Sequence, residues 1–438
     1  MICPDTFMPK STSKYQVPLQ LFALSYYYPP ANNPRALQVS RLLKHLDAST
    51  LLVCGDDYAS DDRLDQNQRA AEDFLRGCLR VRFKQHFWKR ISARAAYQFG
   101  VHLWEKSPDR YVDWKPTVLR AVDEYTKQTS YKPDLMVTFG SPMSDHLIGL
   151  SLKQRFQVPW VAHFSDPWIE NPFKNYNSLT KRINVGLEKK VMSSADLVVF
   201  TSQETSDLVM AKYPEVIRSK ARVLPHAFES DAYRPLLKAS RSETVVRYLG
   251  DLYLQRSPAP LFRALKNIWS SEPALLAGVR FEFIGSITSL KLSETGYSEI
   301  PEGLVTFRST VDYQTSLSLM SDSDGLLVID APASTSVFLP SKLIDYIGAR
   351  QPIIGITPRG TAWKLIEELG GWVADPSSGP EIEQTLRSFI AFLKAKKGSA
   401  NTNWGYPEVQ QRYEADQVAL QFHRIMDELV SPDSTRDS

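Results

Sequence analysis

The sequence predicts an α/β protein made of two parallel-sheet domains, each wound with helices on both faces. Three observations carry this prediction. The chain has 438 residues, 43% of them hydrophobic, which is more than one core can use, because single cores stop growing at roughly 250 to 300 residues. Short apolar runs alternate with helix-length segments from end to end, the order that winds helices around a mainly parallel sheet. The alternation occurs twice, broken at 222–235 by a proline-bearing stretch that loses its periodicity and reads as a linker.

Taken in order, the first half offers strands at 19–25, 51–54, 135–139, 160–164 and 197–201, and the second half at 245–249, 281–284, 305–307, 325–329 and 353–356. These divide the chain into a tail (1–16), a first domain (17–228, boundary near Phe228) and a second domain (229–405). A helix over 406–430 follows, with a short polar tail at 431–438 that is expected to be disordered. In that helix, led by Pro407, Val418, Phe422, Ile425 and Leu429 form an apolar stripe. Such a stripe has to dock, and the first domain is the expected surface.

Composition narrows the function. A net charge of +3 and a pI near 8.5 are too mild for a nucleic-acid protein, which concentrates basic residues on one face. Cys3, Cys54 and Cys78 are odd in number and lack metal-type spacing, so neither a disulfide framework nor a zinc site is expected, and a reducing cytoplasm fits. The first ten residues hold no signal-like apolar core, and no run of about 18 apolar residues occurs. The segment 74–104 contains no acidic residue, and Arg76, Arg80, Arg82, Lys84, Lys89, Arg90 and Arg94 interleave there with Phe83, Phe87, Trp88 and Ile91. It reads either as a peripheral membrane contact at the inner face of the cytoplasmic membrane or as a solvated, partly core-facing helix. The Asp56-Asp57 and Asp61-Asp62 pairs read as solvated loop charges, so no metal site is expected.

The stretch 336–355 is the richest in chemistry. A loop leads through Pro340, placed at the first helical turn, into a brief helix and then a buried strand beginning at Pro352. The free N–H groups and positive end of that helix suit a diphosphate. Lys342 adds a point charge, and Asp345, three residues on, can accept from ribose hydroxyls.

With these residues in view, the chain resembles the retaining glycosyltransferases of family 4, with their GT-B architecture of two facing Rossmann-like domains and a C-terminal helix crossing back to the first. The likeness rests on the runs 25–30, 133–142, 158–168, 195–202, 250–253 and 336–355. It is greatest to the bacterial branch that builds lipopolysaccharide, capsule and exopolysaccharide. Two positions depart from the family. Its two-glutamate signature falls on Val337 and Asp345, and its paired phosphate-binding Arg and Lys fall on Asp251 and Arg256.

The resemblance implies a metal-independent transfer from a UDP- or GDP-linked sugar to a saccharide, free or lipid-linked, with no cofactor. Charge develops on the departing phosphate, so catalysis is mainly electrostatic positioning. The expected donor residues are Gly250, Arg256, Thr310, Val311, Ser336, Phe338, Leu339, Lys342 and Asp345; Asp166 is expected to bind the acceptor, and Asn33 and Arg35 to touch the acceptor or the donor phosphate. Asp166, His163, Arg256 and Lys342 are the catalytic candidates, the first two because ligands collect at the carboxyl ends of parallel strands. His146 is expected to pack rather than react. The rival expectations are a nucleotide-sugar 2-epimerase on the same fold and a degenerate nucleotide-binding scaffold.

Overall fold

A computed structural model describes residues 18–31, 33–56, 72–83, 107–174, 176–233, 242–252, 256–286, 292–397 and 404–430. Strands β1 (Gln20–Leu24), β2 (Ser49–Gly55), β3 (Gly77–Val81), β4 (Leu135–Gly140), β5 (Trp160–Phe164), β6 (Leu197–Phe200) and β7 (Ala221–Val223) form one sheet, in the order β3-β2-β1-β4-β5-β6-β7. The second sheet holds β8 (Thr244–Leu249), β9 (Val279–Ile284), β10 (Val305–Arg308), β11 (Gly325–Ile329), β12 (Ile353–Ile356) and β13 (Trp372–Ala374), in the order β10-β9-β8-β11-β12-β13. Every pairing is parallel. Helices cover both faces, so the central strands are mostly apolar rather than alternating; β4, β5, β8 and β11 are buried along their whole length.

Strand order reverses between β1 and β4 in the first sheet and between β8 and β11 in the second. Each reversal opens a crevice at the carboxyl ends of the strands, where ligands of such sheets bind.

The ten strands expected from the sequence are all present, and three more, β3, β7 and β13, extend the edges. Two of these correct the reading. The segment 74–104 does not open as a helix: Gly77–Val81 pairs with β2, Arg80 donates to Pro29 O at 2.8 Å and Arg76 to Gln20 Oε1 at 3.2 Å. Its remainder from Lys84 onward, together with Asp57, Asp61 and Asp62, lies outside the described residues, as do the two tails. The stretch read as a linker begins inside β7, and Phe228 is strapped to the C-terminal region: its N–H donates to Tyr413 O and its carbonyl accepts from Ala415 N–H, both at 2.9 Å.

The C-terminal helix is broken in two, Pro407–Gln411 and Ala415–Val430, where the chain turns to make that strap. The second piece crosses back as expected. Val418, Phe422 and Ile425 join Leu21, Val39, Leu42 and Val137 in one core of the first domain. No described helix is long and apolar enough to cross a membrane.

Candidate functional site

The two crevices meet along a seam made by the helix after β1 in the first half and the helix after β11 in the second. The Pro34–Lys44 helix lies beside the Ser341–Ala349 helix: Gln38 Nε2 donates to Ser341 Oγ at 2.5 Å, and Arg41 Nη2 meets Asp345 Oδ1 at 2.9 Å. Both members of the ion pair are buried. Burial works against the Arg41 charge, yet Asp345 and its neighbours hold the guanidinium above its ordinary value; burial pushes the Asp345 carboxyl up while Arg41 opposes it. Tyr313 Oη donates to the same carboxylate oxygen at 3.2 Å, and Tyr233 Oη to the Asp345 carbonyl at 2.8 Å. Asp345 is therefore an interdomain tie through Oδ1.

On the second-domain side, Gly250 ends β8 with φ of 126°, a conformation that favours glycine, and a Cβ there would come within 2.9 Å of Lys342 Nζ. Lys342 reaches back to the same strand: Nζ donates to Tyr248 Oη at 2.6 Å and sits 3.8 Å from the Tyr248 ring centre. Burial, helped by the nearby Arg256 charge, lowers its pKa to about 7. Arg256 Nε donates to Asp330 Oδ1 at 3.0 Å, at the carboxyl end of β11, and the other oxygen of this buried carboxylate has no partner. Asp251, where the resemblance expects a cation, accepts from Ser286 N–H at 2.8 Å. Pro340 stands as the N-cap rather than inside the first turn, and no side chain caps the Ser341–Ala349 helix. Its first N–H groups point to the loop before it.

That loop, 336–340, is pinned to both halves. Ser336 pairs with Gly360, and Leu339 is in the core. The Val337 carbonyl accepts from Ser202 Oγ at 2.9 Å, Thr205 Oγ1 at 2.8 Å and Thr361 Oγ1 at 3.0 Å. Phe338 packs on Phe173, ring centres 5.4 Å apart. Thr310 and Val311 follow β10 at the sheet edge, with Thr310 exposed and Val311 packed against the second-domain core.

On the first-domain side, His163 ends β5 and is buried, and its imidazole is held well below its usual pKa by burial and then by Arg35. Arg35 Nη2 lies 3.1 Å from His163 Nδ1 and 3.2 Å from the His163 carbonyl. Asp166 is half-buried and accepts from Ser165 Oγ at 3.0 Å. Asn33 is occupied as the N-cap of the Pro34–Lys44 helix, its side chain accepting from Ala36 N–H at 2.9 Å. His146 packs against Phe164 and bonds Thr138 through Nδ1 at 2.8 Å, far from the seam's polar groups in role.

The arrangement brings Gly250, Arg256 and Lys342 to one crevice and Arg35, His163 and Asp166 to the other. Asn33 caps a helix and Asp345 joins the interdomain pair. Arg41, Tyr248 and Asp330 were not anticipated. Arg41 alone left a trace, a charge at a buried position beside Val39, Leu42 and Leu43. A cation under an uncapped helix end at a strand terminus can stabilise an anionic leaving group. No cluster of metal-ligating side chains occurs among the described residues.

Residues 33–227 match the model of the glycosyl transferase 4-like domain. No curated protein matches the chain. Among solved structures, sucrose-phosphate synthase from Thermosynechococcus elongatus aligns with a TM-score of 0.67 at 14% identity, covering 94% of this chain and 99% of that one. Anabaena HepE in complex with UDP aligns with a TM-score of 0.64 at 15% identity, covering 94% and 100%. The lipopolysaccharide outer core galactosyltransferase WaaB gives 0.57 at 11%, covering 94% and 99%. The fold is GT-B.

Proposed function

We propose that the protein is a glycosyltransferase that moves a sugar from a UDP-linked donor to a saccharide acceptor, with retention at the anomeric carbon. One observation carries the reading: Lys342 stands at the uncapped N-terminus of the Ser341–Ala349 helix, against Gly250 and Tyr248 at the end of β8, on a helix whose Ser341 and Asp345 touch the first domain. A diphosphate there would meet backbone donors and an ammonium together. The match of 33–227 to a glycosyltransferase domain and the nucleotide-sugar enzymes of the same fold support it; HepE, solved with UDP, favours that base over GDP.

In this reading Lys342, Arg256 and the loop backbone at 336–341 stabilise the leaving diphosphate. The departing phosphate takes the proton of the acceptor hydroxyl, and His163 and Asp166 line the acceptor side. Domain 17–228 binds acceptor and domain 229–405 donor. The acceptor is a saccharide, free or lipid-linked, in cell-surface polysaccharide synthesis at the inner face of the cytoplasmic membrane.

The test is release of UDP from UDP-glucose, UDP-galactose and UDP-N-acetylglucosamine, with and without added saccharide. Turnover of one donor that falls at least about tenfold in Lys342→Ala is expected, the loss of one charged hydrogen bond. Tight UDP binding without turnover under any acceptor would favour the scaffold, for which Val337 and Asp251 are the specific observations. The anomeric configuration of the product, read by NMR, decides retention.

A further inference from the structure

The second domain brings little free positive charge to a diphosphate. Arg256 is paired with Asp330, Lys342 is bonded to Tyr248, and Asp251 stands where a first cation would be expected. A departing nucleoside diphosphate needs more.

The register of the two seam helices shows where more is found. Gln38 touches Ser341 and Arg41 touches Asp345, so the helices run parallel, level at 38 with 341 and at 41 with 345. Arg35 lies one turn before Gln38, about 4.5 Å along the axis at 1.5 Å per residue. It is therefore level with the space just ahead of the Ser341–Ala349 helix, where an anion bound to that helix end would lie.

Arg35 is also built unusually. Its side chain is turned inward over the carboxyl ends of β4 and β5, with the guanidinium carbon 5.5 Å from the Phe139 ring centre. The residue is 8% exposed, and its Nε has no acceptor. Its bonds go to the ring nitrogen and carbonyl of His163, both neutral groups; the Asp166 and Asp145 carboxylates favour its charge, but neither is in ion-pair contact with it. His226, in the same small cavity, is neutral too. Arg35 further occupies the first turn of its own helix, where the positive helix end disfavours a cation. Asp166 and Asp145 offset only part of the cost of burying this cation, which stays below its ordinary pKa, and an anion in direct contact with it would offset more.

We propose that Arg35 binds the diphosphate of the donor across the domain seam, as the second cation on the leaving group beside Lys342. This rests on the donor-site reading above and, of the acceptor and the donor phosphate that the sequence leaves open to Arg35, takes the donor phosphate. The shared chemistry is a phosphate oxyanion, which a phosphorylated sugar acceptor would also present.

The experiment is calorimetric titration of the full chain, as wild type, Arg35→Met and Arg35→Lys, with UDP, GDP, CDP and ADP. The nucleoside of the tightest base and glucose 6-phosphate are titrated alongside, and the melting midpoint of each apo protein is recorded. Arg35→Met is expected to lose about 10- to 100-fold in diphosphate affinity, the worth of a charged hydrogen bond or two. Its nucleoside affinity should be unchanged, Arg35→Lys should fall between, and the apo midpoint of Arg35→Met should be equal to or above wild type. Wild-type diphosphate affinity in Arg35→Met overturns the proposal. So does a loss confined to glucose 6-phosphate, which gives Arg35 to the acceptor, or a lowered apo midpoint with equal loss in Arg35→Lys, which makes it structural. No nucleotide binding by the wild type defeats the donor-site reading itself.

Discussion

Lys342 sits where one proton decides the chemistry. Its pKa is lowered to about 7 by burial and the neighbouring Arg256, so the charge a diphosphate needs is gained or lost near neutrality. Binding an anion favours the ammonium. UDP binding should therefore take up a proton, and UDP affinity should fall as pH rises above about 7. Titrations in two buffers of different ionisation enthalpy check this; a binding heat independent of the buffer would contradict it. Asp345 makes a different kind of test. Asp345→Asn leaves Arg41 buried without its partner, which costs roughly 3 to 5 kcal/mol, and denaturant unfolding should show a loss of that order. Arg41→Met in the same background should restore much of it. The sequence made Lys342 and Arg256 conspicuous as cations next to strand ends, but it could not show that Arg256 is held by Asp330 or Asp345 by Arg41. Those partners are far away in the chain, 74 and 304 residues respectively; the winding of the second sheet brings Asp330 to Arg256, and the docking of the two domains brings Arg41 to Asp345.

The helices of the seam derive their register from close packing as much as from polar bonds. Gly348 lets the Tyr233 ring lie against the Ser341–Ala349 helix; a Cβ there would meet ring carbon at 2.4 Å. Gly348→Ala gains helix propensity yet should lose about 1 to 3 kcal/mol by overpacking, visible as a lowered unfolding midpoint. The central strands were legible because burial on both faces leaves an unbroken apolar run. The edge strands were not. β3 is Gly-Cys-Leu-Arg-Val and only partly buried, and β7 and β13 are three residues long; so short and mixed a pattern does not separate strand from helix or loop. For the same reason the arginines around β3 read as a helical face, whereas Arg80 serves the backbone of the loop after β1.

As a whole the molecule is two sheets closed on one another by a returning helix and a buried pair. Phe422 is fully buried in the first-domain core although it belongs to the last helix, so Phe422→Ala should cost about 3 to 5 kcal/mol and weaken the first domain, not the second. Acid should do likewise. His146 and His226 are buried and have pKa values lowered to about 3 by desolvation, then by Arg35. The unfolded chain protonates both near 6.5. Between about pH 6.5 and 3 it binds more protons than the folded chain, so their stability is fully present above about 6.5 and is lost as pH falls. Each histidine contributes up to about 1.4 kcal/mol per pH unit, and His226→Asn should flatten the slope of melting midpoint against pH.

The central claim is that the seam between the sheets holds a nucleoside diphosphate under Lys342. The most direct measurement is the melting midpoint against UDP, GDP, CDP and ADP, for wild type and Lys342→Ala, because a ligand that binds only the folded state raises it. The account predicts a rise with UDP that Lys342→Ala abolishes. No rise with any of the four, or a rise that survives the substitution, would contradict it.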